Sequence, residues 1–127
     1  MSAADAIGDA QITADLMLRE PKTLAGSASV ADVRAVLENP KVQLVLLADA
    51  DVFRGAVTHI PDDAAADAPA LAYADPDPET IAPTEPALTA FERADASPQR
   101  RVIVLDDDGA LLGLVCLNKN RTGFCRA

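Results

Sequence analysis

The sequence runs to 127 residues, enough for one compact domain or two small repeats sharing a core, and such a chain buries about two thirds of its unfolded surface. Hydrophobic residues make up 50% but aromatics only 3%, with no Trp, one Tyr and three Phe, so the core must be built from Val, Leu, Ile and Ala, and stacking on nucleic-acid bases is poorly supplied. A formal charge of −9 opposes general binding to nucleic acid or anionic lipid, so no nucleic-acid and no membrane partner is expected.

Residues 100–127 reverse that balance, with five bases (Arg100, Arg101, Lys119, Arg121, Arg126) against three acids (Asp106, Asp107, Asp108). A small local anion site is one reading of this; solvated charges flanking strands are the commoner arrangement. No apolar run approaches the roughly 20 residues that span a bilayer, and the first residues lack both a basic segment and a hydrophobic signal core. The expected location is cytoplasmic. In that compartment Cys116 and Cys125 are most simply thiols, one in a buried strand and one in a tail; a disulfide or a metal pair is the weaker alternative.

Taken in order, residues 1–11 are small and acidic, without periodic apolar positions, and read as a loose end. Thr13 is placed to cap a short helix, with Asp15 in its first turn and Ile12, Leu16 and Met17 on its apolar side. Pro21 ends it, and Thr23-Leu24 favour a short strand. Ser27 and Ser29 both suit the N-cap of a helix whose apolar face is Val30, Val33, Val36 and Leu37. Asn39-Pro40 closes that helix, and a hairpin follows over 42–60, with its turn at Asp49 to Asp51 and a glycine at Gly55. Residues 61–77, rich in Ala, Pro and Asp, read as a linker with one or two short helices.

The same order of elements then recurs. Pro78, Thr80 and Ala82 match Pro21, Thr23 and Ala25 at a spacing of 57 residues. Thr84 answers Ser27 as a cap, and Leu88 and Phe91 with Ala87, Ala90 and Ala94 form the second helix face. The hairpin over 101–117 has arms at Val102 to Leu105 and Leu111 to Leu117 and a turn at Asp107-Asp108-Gly109. Gly55 pairs with Gly113, Val57 with Val115 and Asp49 with Asp107 at a spacing of 58, so one inserted residue is expected between helix and hairpin. The fold class is therefore α/β (α+β), two tandem β-α-β-β-α repeats over 12–68 and 69–119, each too small to bury its own sheet, followed by a polar tail.

In this order and repetition, residues 12–119 resemble paired cystathionine β-synthase (CBS) domains, the Bateman module. The features that carry the resemblance are a short helix ending in Leu-Met, a Pro-x-Thr-aliphatic strand, an Ala/Val helix, an aliphatic strand with an Asp-rich turn, and Leu-x-Gly-x-Val. The resemblance implies two pseudo-twofold units whose sheets pack together around two clefts. It further implies an adenosine-containing ligand such as AMP, ATP or S-adenosylmethionine, pairing into a homodimer, and regulation of a partner protein, with no catalysis and no cofactor beyond such a nucleotide.

The nucleotide signature of that family runs glycine, a hydroxyl three positions on for phosphate, and an acid six positions on for the ribose hydroxyls. A carboxylate accepts from both hydroxyls of a ribose, while side-chain hydroxyls and backbone N–H groups donate to phosphate. The first copy supplies Gly55 and Thr58, but Pro61 stands at the sixth position and Asp62 comes one residue late. The second supplies Gly113, with Cys116 in place of the hydroxyl and Lys119 in place of the acid. The ligand-binding residues implied are Thr23, Thr58 and Asp62 in the first repeat and Thr80 and Lys119 in the second. The competing reading assigns Thr58 to a strand edge and Asp62 to a loop, and makes the chain a ligand-free dimerising scaffold with degenerate sites. A small enzyme using His59 or Cys116 ranks last, because neither has a neighbouring helper in the sequence. The run Asp106 to Gly109 lacks the spaced acids and closing Glu of a calcium loop and reads as a turn.

Overall fold

The computed structural model describes residues 12–19, 21–40, 42, 44–75 and 78–118. In chain order the elements are α1 (Thr13–Leu16), β1 (Thr23–Leu24), α2 (Val30–Leu37), β2 (Val45–Asp49), β3 (Val52–Val57), a 3-10 helix (Ala70–Tyr73), β4 (Thr80–Ile81), α3 (Ala87–Ala96), β5 (Arg101–Leu105) and β6 (Leu111–Cys116). This is a mixed α+β fold with two three-stranded sheets, ordered β1-β2-β3 and β4-β5-β6. In each sheet the short first strand runs parallel to the second, and the second and third form an antiparallel hairpin.

The elements gather into two compact units, a central one, Lys22–Pro78, and a terminal one made of Met1–Pro21 with Glu79–Ala127. In the central unit Ser29 alone caps α2: its hydroxyl accepts from the Asp32 N–H, and the Asp32 carboxylate accepts from the Ser29 N–H. Val30 and Val33 are fully buried and pack with Val45, Leu47 and Val57 of the hairpin. Residues 61–69 form irregular turns, and only Ala70–Tyr73 is helical. Pro61 and Pro69 break any longer run.

The terminal unit uses the same plan with smaller residues. Ala87, Ala90 and Ala94 of α3 are buried, the last two packing with Ile81, Val102, Val104 and Val115. Two expectations for this helix are corrected. It starts after Pro86, with no side-chain cap from Thr84, and this register turns Leu88 outward at 46% exposure. Nor does Thr13 cap α1. Ile12 holds the cap position, and the buried Thr13 hydroxyl donates instead to the Glu85 carbonyl at 2.9 Å.

The compact units cut across the sequence repeats, because the leading turn of each repeat packs in the unit that carries the other repeat's hairpin. In the terminal unit, Thr13 N–H donates to the Glu85 carbonyl, and Leu18 and Leu114 exchange N–H···O bonds of 2.8 and 3.1 Å. In the central unit, Ala70 N–H donates to the Ala28 carbonyl and Asp75 N–H to the Ala56 carbonyl at 2.7 Å. The hairpin glycines make these approaches possible. A Cβ on Gly113 would lie 2.6 Å from the Leu18 carbonyl oxygen and 2.7 Å from Met17 Sδ; one on Gly55 would lie 3.0 Å from Ala74 Cβ and 3.1 Å from Leu71 Cδ1.

The inserted residue of the second repeat is not where the sequence suggested. Thr23 pairs with Leu46 and Thr80 with Ile103, and the bulges fall between Leu47 and Ala48 and between Val104 and Leu105, so the 57-residue spacing persists through the first arm of each hairpin. The extra residue sits in the hairpin turn, where length is tolerated because the segment is solvated. Asp106 is then the counterpart of Asp49. Each carboxylate organises its turn: Asp106 Oδ1 accepts from the Asp108 and Ala110 N–H groups, and Asp49 accepts from Gly26 N–H at 3.0 Å and from Arg54 Nε at 2.9 Å. The Arg54 hydrogen bond, followed by that from Gly26, holds the Asp49 carboxyl below its ordinary value of 3.8.

Gly113→Ala must push a backbone carbonyl aside, and a loss of about 1–3 kcal/mol in urea unfolding is expected. For Asp49→Asn, the depressed carboxyl fixes the sign. Its contribution is complete above the ordinary carboxyl value and fades as pH falls through the lower value it has in the folded chain. The stability difference between the unaltered chain and Asp49→Asn is therefore expected to hold steady from neutral pH to about pH 5 and to close below about pH 4, read by urea melts across that range.

Candidate functional site

Register fixes the faces of the central sheet. Leu24, Leu47, Val45 and Val57 belong to the core beneath α2. Side chains alternate along a strand, so Thr23, Leu46 and Ala56, paired in one row, lie on the opposite face. Thr58, one residue beyond β3 and two beyond Ala56, is in step with that row. Two strand spacings, on the order of 10 Å, separate the outer strands β1 and β3. Thr23 is exposed and Thr58 half-buried.

Asp62 lies on the loop leaving β3, with its side chain exposed between two buried residues, Ile60 and Ala64. That loop is fastened to α2 in two places. The first helical N–H groups, of Val30 and Ala31, donate to the carbonyls of Ala68 and Ala66. One turn further on, Arg34 Nη2 donates to the carbonyls of Pro61, Asp62 and Ala64 at 2.8, 3.2 and 3.0 Å. The N–H of Ala64 also donates to the Pro61 carbonyl, closing the turn that contains Asp62.

Arg34 is the residue that the sequence reading missed, although a signal was present. Val30, Val33, Arg34 and Leu37 are spaced as one helical stripe, and a charged group on an apolar stripe must find acceptors. Here those acceptors are backbone carbonyls rather than an acid. Arg54 with Asp49 and Arg93 with Glu79 form ion pairs at the surface.

The terminal unit offers a different set. Thr80 pairs with Ile103 and is half-buried, and its carbonyl accepts from Arg93 Nη1 at 2.8 Å. Cys116, buried at the end of β6, is disulfide-bonded rather than a thiol. The expectation of a thiol rested on compartment alone, which says nothing about geometry. Cys125, the other cysteine of the sequence, and Lys119 lie outside the described residues. Burial, aided by the neighbouring Arg100, pulls Arg101 below the usual arginine value, and its guanidinium donates to the Gln99 and Arg100 carbonyls.

The structure thus brings Thr23, Thr58 and Asp62 into one unit and sets Thr80 in the other. Hydroxyls and a carboxylate of this kind recognise a polyhydroxyl or phosphate ligand by hydrogen bonding. Among the described residues no group of three or more His, Cys, Asp or Glu is placed to hold a metal ion. Nor, among them, is any helix long and apolar enough to cross a membrane.

Comparison with known proteins agrees with this architecture. The CBS domain family model matches residues 70–118. Among solved structures, the CBS-pair protein CBSX2 from Arabidopsis thaliana is similar at 19% identity and TM-score 0.69, over 83% of this chain and 87% of that one. A CBS domain protein from Pyrobaculum aerophilum, complexed with AMP, is similar at 23% identity and TM-score 0.68, over 87% and 95%. The CBS domain of a bacterial CNNM/CorC family Mg2+ transporter, in complex with ATP, gives 16% identity and TM-score 0.62, over 85% and 82%. No curated protein sequence matches the chain. Two hairpin sheets in tandem, a CBS domain family match over the second and a fold shared with CBS-pair structures across both are consistent with a tandem CBS pair.

Proposed function

We propose that the chain is a small regulatory module that binds an adenosine-containing ligand of the AMP, ATP or S-adenosylmethionine type and passes its bound state to a partner protein, without catalysing a reaction itself. The observation that carries this reading is the polar set of the central unit. Thr23 and Thr58 stand in step on the sheet face away from α2, and the exposed Asp62 is presented on a loop that is fastened at both ends. In this reading Thr23 and Thr58 donate to phosphate, and Asp62 accepts from the ribose hydroxyls. Thr80 and Lys119 serve the second repeat, with Lys119 suited to an anion. Two structures of the same fold contain AMP and ATP, which supports the ligand class. The protein is taken to act in the cytoplasm as a homodimer.

One observation favours a second reading, a ligand-free dimerising scaffold. Cys116 stands where the first repeat has Thr58, and a sulfur held in a disulfide has no proton to donate.

The two readings part in a thermal-shift titration with AMP, ADP, ATP and S-adenosylmethionine. A ligand at one hundred times its dissociation constant adds about 2.7 kcal/mol to the folded state. On the regulatory reading at least one of the four raises Tm, and Thr58→Ala and Asp62→Ala each weaken it roughly tenfold. No shift with any of them at millimolar concentration would leave the scaffold reading standing.

A further inference from the structure

We propose that the disulfide of Cys116 is a redox-labile tether: it joins the end of β6 to Cys125, fastens the basic segment between them to the terminal sheet, and opens and closes while the fold stays intact. The sequence holds two cysteines, so a bond within the chain joins Cys116 to Cys125 and closes a ring over residues 116–125. Every strand and helix named above precedes that ring or ends at Cys116. The strand end does not depend on the bond. Leu117 is fully buried with Ile81, Val102, Val104 and Val115, and its N–H donates to the Arg100 carbonyl at 2.9 Å. Breaking the disulfide therefore leaves the contacts of the sheet in place and lifts a restraint only from the chain that follows. That chain carries Lys119 and Arg121 inside the ring and Arg126 just beyond it.

The surroundings of Cys116 favour its reduced form. Arg101 is its direct partner across the antiparallel hairpin, and paired residues carry their side chains on one face. Both side chains approach one atom, the Leu117 carbonyl oxygen, which lies 3.6 Å from Cys116 Sγ and 3.5 Å from Arg101 Nη1. In the disulfide that sulfur has no proton to give. Once it is reduced, a thiol there has an acceptor in place and a thiolate has a guanidinium beside it. Burial strips water from Arg101, and Arg100 adds a second positive charge, so negative charge on Cys116 is welcomed at this point. Stabilising the reduced sulfur makes the disulfide easier to reduce and Cys116 the better leaving group. Cys116 is only 4% exposed, so the attack falls on Cys125. A thiolate of a dithiol reductant bonds to Cys125 Sγ, the Cys116–Cys125 bond breaks, and its electron pair leaves on Cys116 Sγ. The second thiol of the reductant then displaces Cys125. Two electrons and two protons have passed to the chain, which holds two thiols, and the reductant is left as a disulfide. In a reducing compartment such bonds are transient or redox-sensing, whereas lasting structural ones belong to oxidising compartments.

The test equilibrates the unaltered chain, Arg101→Gln, Arg101→Lys and Cys125→Ser in glutathione redox buffers, traps free thiols by alkylation and reads the linked peptide by mass spectrometry. The unaltered chain is expected to pass from disulfide to dithiol within the cytosolic glutathione range, with a cooperative urea transition in both states. Arg101→Gln should need a roughly tenfold more reducing buffer for half-reduction, and Arg101→Lys, which keeps the charge, should stay close to the unaltered chain. Limited trypsin digestion reads the tether itself. Cleavage after Lys119 and Arg121 should be about tenfold faster in the reduced chain than in the oxidised one, and equally fast in Cys125→Ser under either condition. If the Arg101 variants do not fold, the midpoint of the unaltered chain and the digestion decide. A disulfide that resists millimolar glutathione, a midpoint indifferent to Arg101, unfolding on reduction, equal cleavage in both states, or a bond between two copies would each overturn the proposal.

Discussion

The structure depends on an exchange of the turns that lead the two repeats. Each repeat supplies a hairpin with a glycine in its second arm, and over that glycine lies the turn that leads the opposite repeat: residues 17–18 over Gly113, and Leu71 with Ala74 over Gly55. Two of the backbone bonds that fix these arrangements recur in both. Thr13 N–H reaches Glu85 as Ala70 N–H reaches Ala28, and Leu18 N–H reaches Leu114 as Asp75 N–H reaches Ala56. Neither repeat can therefore complete its own layer of packing. Two-strand hairpins with a two-residue third strand are marginal alone, and in this chain each is covered by the leading turn of the other copy.

The exchange also explains the irregular loop that carries Asp62. The 3-10 helix must lie over Gly55, so the chain between β3 and Ala70 has to cross the start of α2 rather than leave the unit. Crossing there, its carbonyls meet the unpartnered N–H groups of the first helical turn, those of Val30 and Ala31, and then Arg34. The polar backbone of a loop and the orphan donors of a helix satisfy each other. Asp62 is held at the surface as a by-product of that pairing.

Much of this was legible in the sequence, and the errors have local causes. The duplicated hairpins were readable because apolar arms, a turn and a glycine in register are determined by neighbours a few residues apart. The exchange was not, since nothing within residues 12–19 says which hairpin they will cover. Thr13 looked like a cap because caps are chosen locally, but its hydroxyl was claimed by Glu85, distant in sequence. Leu88 looked like a core residue, and the alanines won because a helix lying close to its sheet admits small side chains where it touches. The insertion was misplaced because spacing alone locates a shift only between the last residue that keeps one offset and the first that keeps the next. For the proposed site, Thr58 and the late acid were named only because the signature of the resembled family was counted from Gly55. The arginine that holds the acid's loop could be found only by asking why a charge interrupts an apolar stripe.

The two repeats, alike in backbone, cannot offer the same chemistry to a ligand. Thr58 has a hydroxyl that can donate and accept, whereas its counterpart Cys116 is committed to a disulfide and has no proton to donate. Asp49 and Asp106 mark the same step of the hairpins, yet the first fastens Gly26 and Arg54 while the second only closes its own turn. The loop after β3 is tied to a helix by an arginine, and the corresponding helix, α3, uses Arg93 instead to hold the Thr80 carbonyl. Duplication preserved what packing requires: the glycines, the strand register and the exchanged turns. The polar positions, which packing does not constrain, are where the copies have separated, so any asymmetry of function between them must originate there and not in the fold.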